Sequence, residues 1–300
     1  MTAPDGSARP GDQIAAATVA AERIADLVRL GYDVAVTHGN GPQVGNILVK
    51  NELAAQVVPP VPLDWCGAQT QATIGFVVMD ALQYAFAVRG VDRLVAALVT
   101  RTRVDRDDPG LRRPTKPVGR YLSADEARTM IEHGQTWEER GERGWRRVVA
   151  SPEPLEVLDA DAARTLVDAG FVVVSAGGGG IPVVREADGT LRGVEAVIDK
   201  DLTAALLARA LDADVLLIAT DVDHVQTGFG TPDASPIGRT TPAGLRTLAA
   251  AGEFAAGSMG PKVEAACRFV EGGGTRAVIT SLSRIEDAML HGTGTVVEPA

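Results

Sequence analysis

Short apolar runs alternate with amphipathic helical patterns along this chain, and this alternation restricts the possible folds more than any other feature. Helices are predicted over 12–30, 44–58, 68–89, 201–211, 242–251 and 261–271. Strands are predicted over 32–37, 94–100, 171–176, 214–220 and 276–282, with a hairpin over 183–193. Strands that alternate with helices form a mostly parallel sheet that is covered on both faces. The predicted fold class is therefore α/β.

Residues 105–154 differ in character, because two charged stretches rich in Pro and Gly surround one short helical pattern near 123–133. A segment of this composition cannot supply a large core of its own. We predict a single domain over residues 1–300, into which residues 105–154 are inserted as a protruding lid subdomain.

Composition argues against several classes of protein. The formal net charge of −10 disfavours a nucleic-acid partner, which would need a basic surface. Two cysteines cannot form a disulfide framework. We find no apolar run long enough to cross a bilayer and no signal-peptide pattern. These features predict a reduced, cytoplasmic protein without a membrane partner.

Lysine is scarce in this chain. Of the 29 basic residues only four are lysines, namely Lys50, Lys116, Lys200 and Lys262. The last three lie beside Gly, Pro and Asp, in the segments "PTKP", "VIDKD" and "GSMGPK". A compact ammonium group on a flexible stem suits contact with an anionic ligand. These three lysines are predicted to be functional, although chance is the better explanation for any one of them alone.

Four loop-like segments follow predicted strands or open a predicted helix: "HGNGPQ", "GGGGIP", "TDVDH" and "GSMGPK". Ligands of open α/β sheets bind beyond the carboxyl ends of the strands. Glycine lets backbone N–H groups surround an anion, and a helix N-terminus adds a positive dipole end. Together with Lys200 and Lys262 these segments predict a polyphosphate site, although neither the P-loop nor the dinucleotide fingerprint is present.

Phosphoryl transfer requires positioning, cations and amide groups around the transferred group, usually with Mg²⁺ on the nucleotide. The candidate segments offer lysines and glycine amides but no catalytic base. That set suits an acceptor that is already an anion, such as a carboxylate, since an alcohol would need a base.

Several residues allow two interpretations. Asp201 could cap a helix that begins there, or it could hold an ammonium group in place. Asp221 and Asp223 could bind a metal ion or simply form the turn after a strand. His38 is interpreted as shaping its glycine turn, since the four histidines show no metal-ligand spacing. Cys66 has no histidine partner in sequence and is interpreted as a packing residue.

Seven segments, in order and over nearly the whole chain, resemble the carbamate kinases of the amino acid kinase superfamily. They are "THGNGPQVG", "PLDWCGAQTQATIG", "PTKPVG", "RRVVASPEP", "GGGGIPVV", "GVEAVIDKDLTAALLA" and "GSMGPKVEAA". The resemblance implies a three-layer α/β/α sandwich around a mainly parallel sheet, a protruding subdomain and a homodimer. It also implies reversible phosphoryl transfer between Mg-ATP and carbamate, which gives carbamoyl phosphate and ADP.

The resemblance further implies roles for individual residues. Lys200 and Lys262 would contact the phosphoryl group, and Asp201 would orient them. Lys116, on the protruding subdomain, would close over the acceptor. The phosphate and acceptor pocket would be lined by Gly39, Asn40, Gly41, Gly177, Gly178, Gly179 and Gly180. The nucleotide, carrying Mg²⁺, is assigned to Asp221, Asp223 and Met259.

Two departures from the family pattern are visible. Family members open with a strand that ends in an Ala-Leu-Gly-Gly-Asn-Ala type of loop, and residues 5–17 resemble what normally follows that loop. An open sheet edge or a gap, with low stability, is the expected consequence of lacking this strand. The second departure lies at Gln226, at or near which the family often has a tyrosine, so the packing of adenine is expected to differ.

The first departure supports an alternative hypothesis, a nucleotide-binding homologue that is impaired in catalysis. A kinase of the same superfamily that acts on another small acid is a third possibility. A dehydrogenase is the least favoured, because the dinucleotide fingerprint is missing.

Overall fold

The computed structural model describes residues 9–300. Its helices are α1 (Pro10–Arg29), α2 (Gly41–Ala54), α3 (Leu63–Arg89), α4 (Pro109–Arg112), α5 (Ala124–Glu132), α6 (Ala160–Asp168), α7 (Lys200–Ala210), α8 (Pro242–Ala250), α9 (Met259–Glu271) and α10 (Ile285–His291).

The strands follow the same chain order. They are β1 (Ala35–Val36), β2 (Val95–Ala97), β3 (Arg101–Val104), β4 (Lys116–Leu122), β5 (Trp137–Glu139), β6 (Trp145–Val149), β7 (Pro154–Val157), β8 (Val172–Val174), β9 (Ile181–Arg185), β10 (Leu191–Gly193), β11 (Val215–Thr220), β12 (Gln226–Thr227), β13 (Ser235–Pro236), β14 (Arg239–Thr240), β15 (Arg276–Ser281) and β16 (Thr295–Val297).

Local sequence explains several helix boundaries. Ser123 and Glu126 form a reciprocal capping box that starts α5. The side chain of Thr241 caps α8, whose first residue is Pro242. Helix α3 ends at Gly90, which has a left-handed φ of 65° that favours glycine.

Parallel pairing dominates the main sheets. The first has the strand order β1-β8-β2 and is entirely parallel. The second has the order β10-β9-β3-β7, and the third β11-β15-β16-β14; each contains parallel and antiparallel pairs. The predicted α/β class is confirmed, but the strands are divided among separate sheets rather than joined in one.

Alternate side chains along a strand reach opposite helical layers. In β8, Val172 and Val174 pack in a core cluster with residues of α1 and α3, while Val173 packs with residues of α6 and α7. In β15, Ile279 packs with residues of α7, α8 and α9, while Val278 packs against α10. Because successive side chains of a strand point to opposite faces, the sheets lie between two layers of helices.

Two strands at the boundary between sheets pair on one side only. Among the described residues, β1 pairs with β8 alone and β11 with β15 alone. Val34, Val215 and Leu217 are only partly buried and pack in one small cluster with Leu27 and Met289. Side-chain packing therefore connects the two halves of the fold here without strand pairing.

The segment 105–154 carries its own antiparallel sheet, with the strand order β4-β6-β5. Helix α5 packs against this sheet through a small core of Leu122, Ala127 and Trp137. Strand β4 contacts α2. The segment thus has little core of its own, as the composition indicated, and it lies against the helix that follows the first glycine loop.

Several predicted boundaries need correction. Of the strand predicted over 32–37, only Ala35–Val36 form a strand, β1. The helix predicted over 44–58 ends at Ala54. Helix α3 begins five residues before the predicted start at residue 68. Helices α6 and α10 and strand β16 were not predicted, and all three are short, with nine, seven and three residues. The hairpin predicted over 183–193 is confirmed as β9 and β10.

Helix α3 has 27 residues, and an 18-residue window within it has a mean hydropathy of 1.3, so it is long and apolar enough to cross a membrane by length and composition. The prediction that no apolar run reaches such a length is therefore wrong. Core helices pass the same test, and 39% of the apolar window is buried inside the protein. Ile74, Leu82 and Phe86 pack in one core cluster with α1 and the first sheet. The length of α3 alone gives little support for a membrane location.

Candidate phosphotransfer site

Asp201 holds two of the predicted lysines together. Its Oδ2 accepts hydrogen bonds from Lys200 Nζ at 3.2 Å and from Lys262 Nζ at 3.0 Å. Oδ1 also lies 3.2 Å from Lys262 Nζ. Asp201 is buried, and the side chain of Lys262 is only 12% exposed. The sequence places these lysines on different helices, and the fold brings them to one carboxylate.

The close packing of α7 against α9 makes this contact possible. Ala204 and Ala205 of α7 lie in the same core cluster as Ala265 and Ala266 of α9. Small side chains let two helices approach closely, so their first turns lie side by side. Each first turn carries one of the two lysines.

Asp199, not Asp201, caps helix α7. The Oδ1 atom of Asp199 accepts hydrogen bonds from the backbone amides of Asp201 at 2.9 Å and Leu202 at 3.3 Å. Lys200 is the first residue of the helix rather than a loop residue. Of the two interpretations of Asp201, capping is therefore wrong, and contact with ammonium groups is what the side chain makes.

The buried charges shift one another's pKa. Burial opposes the charge of Lys200, but the attraction of Asp201, the hydrogen bond to it and the further attraction of Asp199 act together against this, and the pKa of Lys200 is raised. For Lys262, burial lowers the pKa; Asp201 opposes that effect and the repulsion of Lys200 adds to it, and the net shift is downward.

Lys116 lies beside this pair although it belongs to the segment 105–154. Its Nζ donates a hydrogen bond to Asp199 Oδ2 at 2.7 Å. Since Asp199 immediately precedes Lys200, three lysines are gathered around two neighbouring carboxylates. Three positive and two negative side chains leave one net positive charge for an anionic ligand.

The two predicted glycine loops pack against each other. A Cβ on Gly177 would lie 2.3 Å from His38 Nε2, and a Cβ on Gly178 would lie 2.0 Å from Asn40 Nδ2. Gly178 also has a left-handed φ of 68°. The backbone N–H of Gly178 donates to the carbonyl of His38 at 2.7 Å. Glycine is required at these two positions because the backbone of the second loop packs directly on the side chains of His38 and Asn40 in the first loop.

His38 shapes this contact as an uncharged ring. Burial lowers the pKa of His38 to about 4, and a hydrogen bond between Nδ1 and the carbonyl of Gly39 offsets the effect only in part. The imidazole is therefore neutral near pH 7. Packing of His38 on Gly177 agrees with the interpretation that this residue shapes its turn.

The second glycine loop is held by polar residues that the sequence did not identify. Gln71 of α3 donates hydrogen bonds to the carbonyls of Thr100 and Gly177, and its Oε1 accepts from the amide of Thr100. Thr102 and Thr203 both donate to the carbonyl of Gly179. Gln71 lies inside the motif "PLDWCGAQTQATIG", but only its burial identifies it as an anchor.

Two helix N-termini near these loops lack a side-chain cap. At the start of α2, Asn40 makes no capping hydrogen bond and instead donates to Thr70 Oγ1 at 2.8 Å. At the start of α9, Ser258 makes no capping hydrogen bond either. At α9 the amide of Gly260 already donates to the carbonyl of Ala255 at 2.9 Å. The lack of a side-chain cap at either terminus is therefore only a weak indication of anion binding.

The residues predicted for the nucleotide are placed less directly. Asp221 and Asp223 follow the carboxyl end of β11, where Asp221 accepts a hydrogen bond from Thr220 and the carbonyl of Asp223 accepts one from Thr280. Met259 is the first residue of α9, three positions before Lys262. No described contact joins these three residues to the lysines, so their role stays a prediction.

Gathered cations, glycine amides and an α/β fold define a phosphotransferase. Comparison with known proteins agrees: the sequence profile of the Amino acid kinase family matches residues 6–281. Carbamate kinase of Thermococcus kodakarensis is 46% identical over 281 residues, which cover 92% of this chain and 89% of the relative. Carbamate kinase-like protein YqeA of Escherichia coli is 43% identical over 289 residues, covering 95% and 93%.

Solved structures give the same result. The structure described as carbamate kinase from Giardia lamblia bound to AMP-PNP has a TM-score of 0.93 at 38% identity, covering 100% of this chain and 95% of that one. The chain therefore belongs to the amino acid kinase family, and its resemblance to carbamate kinases is confirmed.

Proposed function

We propose that this protein is a carbamate kinase, which catalyses reversible phosphoryl transfer between Mg-ATP and carbamate to give carbamoyl phosphate and ADP. The single observation that carries the proposal is the pair of ammonium groups, from Lys200 and Lys262, held on the buried carboxylate of Asp201. The carbamate kinases among its relatives support the choice of acceptor.

In the proposed reaction an oxygen of the carbamate anion forms a bond to the γ-phosphorus of ATP. The bond from that phosphorus to the β,γ-bridging oxygen breaks, and ADP leaves with the electron pair. No proton is transferred, so the lack of a catalytic base is consistent with this acceptor. Lys200 and Lys262 would stabilise the charge on the transferred group. Such electrostatic stabilisation, together with positioning, is the main contribution of a protein to the catalysis of phosphoryl transfer.

The proposal assigns the remaining residues by position. Gly39, Asn40 and Gly41, at the uncapped start of α2, would bind the acceptor together with Lys116. The loop Gly177–Gly179 would line the phosphate pocket, and residues 105–154 would act as the lid that carries Lys116 to the acceptor. Asp221, Asp223 and Met259 would bind the nucleotide.

Mg²⁺ belongs to this proposal as part of the nucleotide substrate. Within residues 9–300 no group of three or more His, Cys, Asp or Glu side chains lies together as a metal site. Magnesium bound to the nucleotide phosphates would neutralise part of their charge during transfer.

A homodimer is also part of the proposal. Phe76, Tyr84 and Val88 are 62%, 68% and 64% exposed and lie eight and four residues apart along α3, with the exposed Asp80 between the first two. Residues at this spacing share one helix face, and an exposed apolar face of this kind is typical of an association surface. We propose that a second copy of the chain covers it.

The decisive experiment is ADP phosphorylation by carbamoyl phosphate in the presence of Mg²⁺, followed through ATP formation. Turnover with carbamoyl phosphate is expected, and acetyl phosphate under the same conditions serves as the matched control donor. A folded protein that forms no ATP would contradict the proposal. ATP binding without turnover in calorimetry would then favour the alternative, a nucleotide-binding homologue impaired in catalysis.

A further inference from the structure

Asp199 divides its two carboxylate oxygens between two parts of the molecule. Oδ1 accepts from the backbone amides of Asp201 and Leu202 and so caps α7. Oδ2 accepts from Lys116 Nζ at 2.7 Å. Lys116 is the first residue of β4, in the protruding segment, so this one side chain joins that segment to the helix that begins with Lys200.

The carboxylate of Asp199 is fixed and charged. Burial by itself would raise its pKa, but the charge of Lys116, the hydrogen bond from it and the two backbone amides together lower the pKa. Because the backbone of α7 holds Oδ1, the second oxygen points in one direction. A lysine that approaches from the protruding segment therefore meets a rigid acceptor.

Lys116 depends on this partner. Among the described residues, Asp199 is the one carboxylate within ion-pair distance of Lys116. The neighbouring Asp201 pairs with Lys200 and Lys262 instead. The side chain of Lys116 is 35% exposed. Without Asp199 its flexible four-carbon stem would let the ammonium group sample positions away from α7.

We infer that Asp199 is a positioning residue for phosphoryl transfer, which places the ammonium group of Lys116 beside Lys200 and Lys262 and thereby ties the protruding segment to the site. The inference rests on the proposed function, in which Lys116 contacts the acceptor. A small displacement of a catalytic group lowers the rate strongly, so the loss of this ion pair is expected to affect turnover more than folding.

The substitution Asp199→Asn separates the two contacts. Asparagine still accepts backbone hydrogen bonds as an N-cap, but it lacks the charge that holds Lys116. We expect kcat/KM for carbamoyl phosphate with Mg-ADP to fall about ten-fold or more while Tm stays within a few degrees of the parent. Parental kcat/KM in Asp199→Asn would overturn the inference.

The substitution Asp199→Ala removes both the contact with Lys116 and the side-chain cap of α7. Thr241→Ala is the matched control for the loss of a cap. That control removes the side-chain cap of α8, which lies outside the site. It should lower Tm and leave kcat/KM unchanged. A fall in kcat/KM with Thr241→Ala as large as with Asp199→Ala would mean that loss of any cap suffices, and it would overturn the positioning role.

A double-substitution cycle tests whether Asp199 acts through Lys116. In a Lys116→Met background, adding Asp199→Asn is expected to lower kcat/KM by less than about two-fold, because the ion pair is already lost. Losses that multiply in the double variant would show that the two side chains act independently, and they would overturn the inference.

A second measurement needs no turnover. The chain has only four lysines, so amine acetylation read by mass spectrometry can follow each of them. Exposed Lys50 serves as the internal reference. Asp199→Asn should raise the labelling rate of Lys116 relative to Lys50, and unchanged labelling would overturn the inference. A parental protein that labels as expected but forms no ATP would contradict the proposed function alone.

Discussion

Gly39 lies directly against the stem of Lys200. A Cβ at position 39 would stand 3.1 Å from Cδ and 3.3 Å from Cε of that lysine. The loop after β1 and the first residue of α7 are therefore in van der Waals contact. A side chain at position 39 would therefore press on the stem of Lys200, whose ammonium group donates to Asp201.

This contact predicts the effect of Gly39→Ala. The added methyl group displaces Lys200, and a displaced catalytic group lowers kcat by about 10–100-fold. Stability should change little, since φ at Gly39 lies outside the left-handed region. Steady-state kinetics and thermal unfolding check both statements.

Gly67→Ala is the matched control for that variant, because nothing lies within 4 Å of a Cβ at that position of α3. It should keep parental kcat and gain up to about 1 kcal/mol of stability. Parental kcat in Gly39→Ala would show that the stem of Lys200 can move aside at no cost.

Removal of either lysine of the buried pair should abolish most activity. Lys200→Ala and Lys262→Ala each remove a cation from the site where charge develops, which typically lowers kcat by about 10²–10³-fold. ATP formation from carbamoyl phosphate and ADP is the measurement. Lys50→Ala, at an exposed position of α2, is the control and should keep parental rates.

Thermal unfolding separates the two variants of the pair. Lys262 is the more buried lysine, so Lys262→Ala leaves Asp201 with a single, more exposed partner and should lower Tm more than Lys200→Ala. Near-parental kcat in either variant would remove that lysine from the proposed mechanism.

The neutral imidazole of His38 predicts acid sensitivity. Its pKa is about 4 in the folded protein, below the usual value of 6.5, so the unfolded chain binds the proton more readily. The stability that depends on neutral His38 is complete above about pH 6.5 and is lost as the pH falls toward 4.

Urea unfolding from pH 7 to pH 4 is the measurement for this effect. His38→Gln keeps a polar side chain without the titrating ring, so its free energy of unfolding should fall less steeply over the same range. Identical pH slopes for the parent and His38→Gln would rule out this role for the ring.

The apolar face of α3 predicts self-association. The double substitution Phe76→Glu and Tyr84→Glu places two charges on the proposed contact and should convert a dimer to a monomer, because a buried unpaired charge is strongly unfavourable. Light scattering after size exclusion, at several concentrations, measures the mass. Val57→Glu, at an 86% exposed position outside this face, should stay dimeric. A monomeric parent would contradict the dimer itself.

Particular residues show how far the sequence could lead. The glycine loops and the three candidate lysines stand out in the sequence by composition, and the structure brings Lys116, Lys200 and Lys262 near two carboxylates, those of Asp199 and Asp201. The sequence left capping open as one of two interpretations of Asp201, because either Asp199 or Asp201 satisfies the local preference of a helix start. Only the neighbouring α9 and β4 determine which carboxylate faces which lysine.

Gln71 illustrates the same limit in the fold. Its position on α3 follows from the apolar period, but its hydrogen bonds to Thr100 and Gly177 join segments far apart in the chain. Such contacts depend on how helices and sheets pack, and no local pattern encodes them.

The sequence by itself determined the α/β class through local periodicity and the candidate loops and lysines through composition, while the order of its motifs gave the resemblance to a family. Only the tertiary structure decided that Asp201 holds Lys200 and Lys262, that Asp199 holds Lys116, and that Gly39 lies against Lys200. The physical reason is that these contacts act over a few ångströms between residues far apart in the chain, and packing alone brings them together.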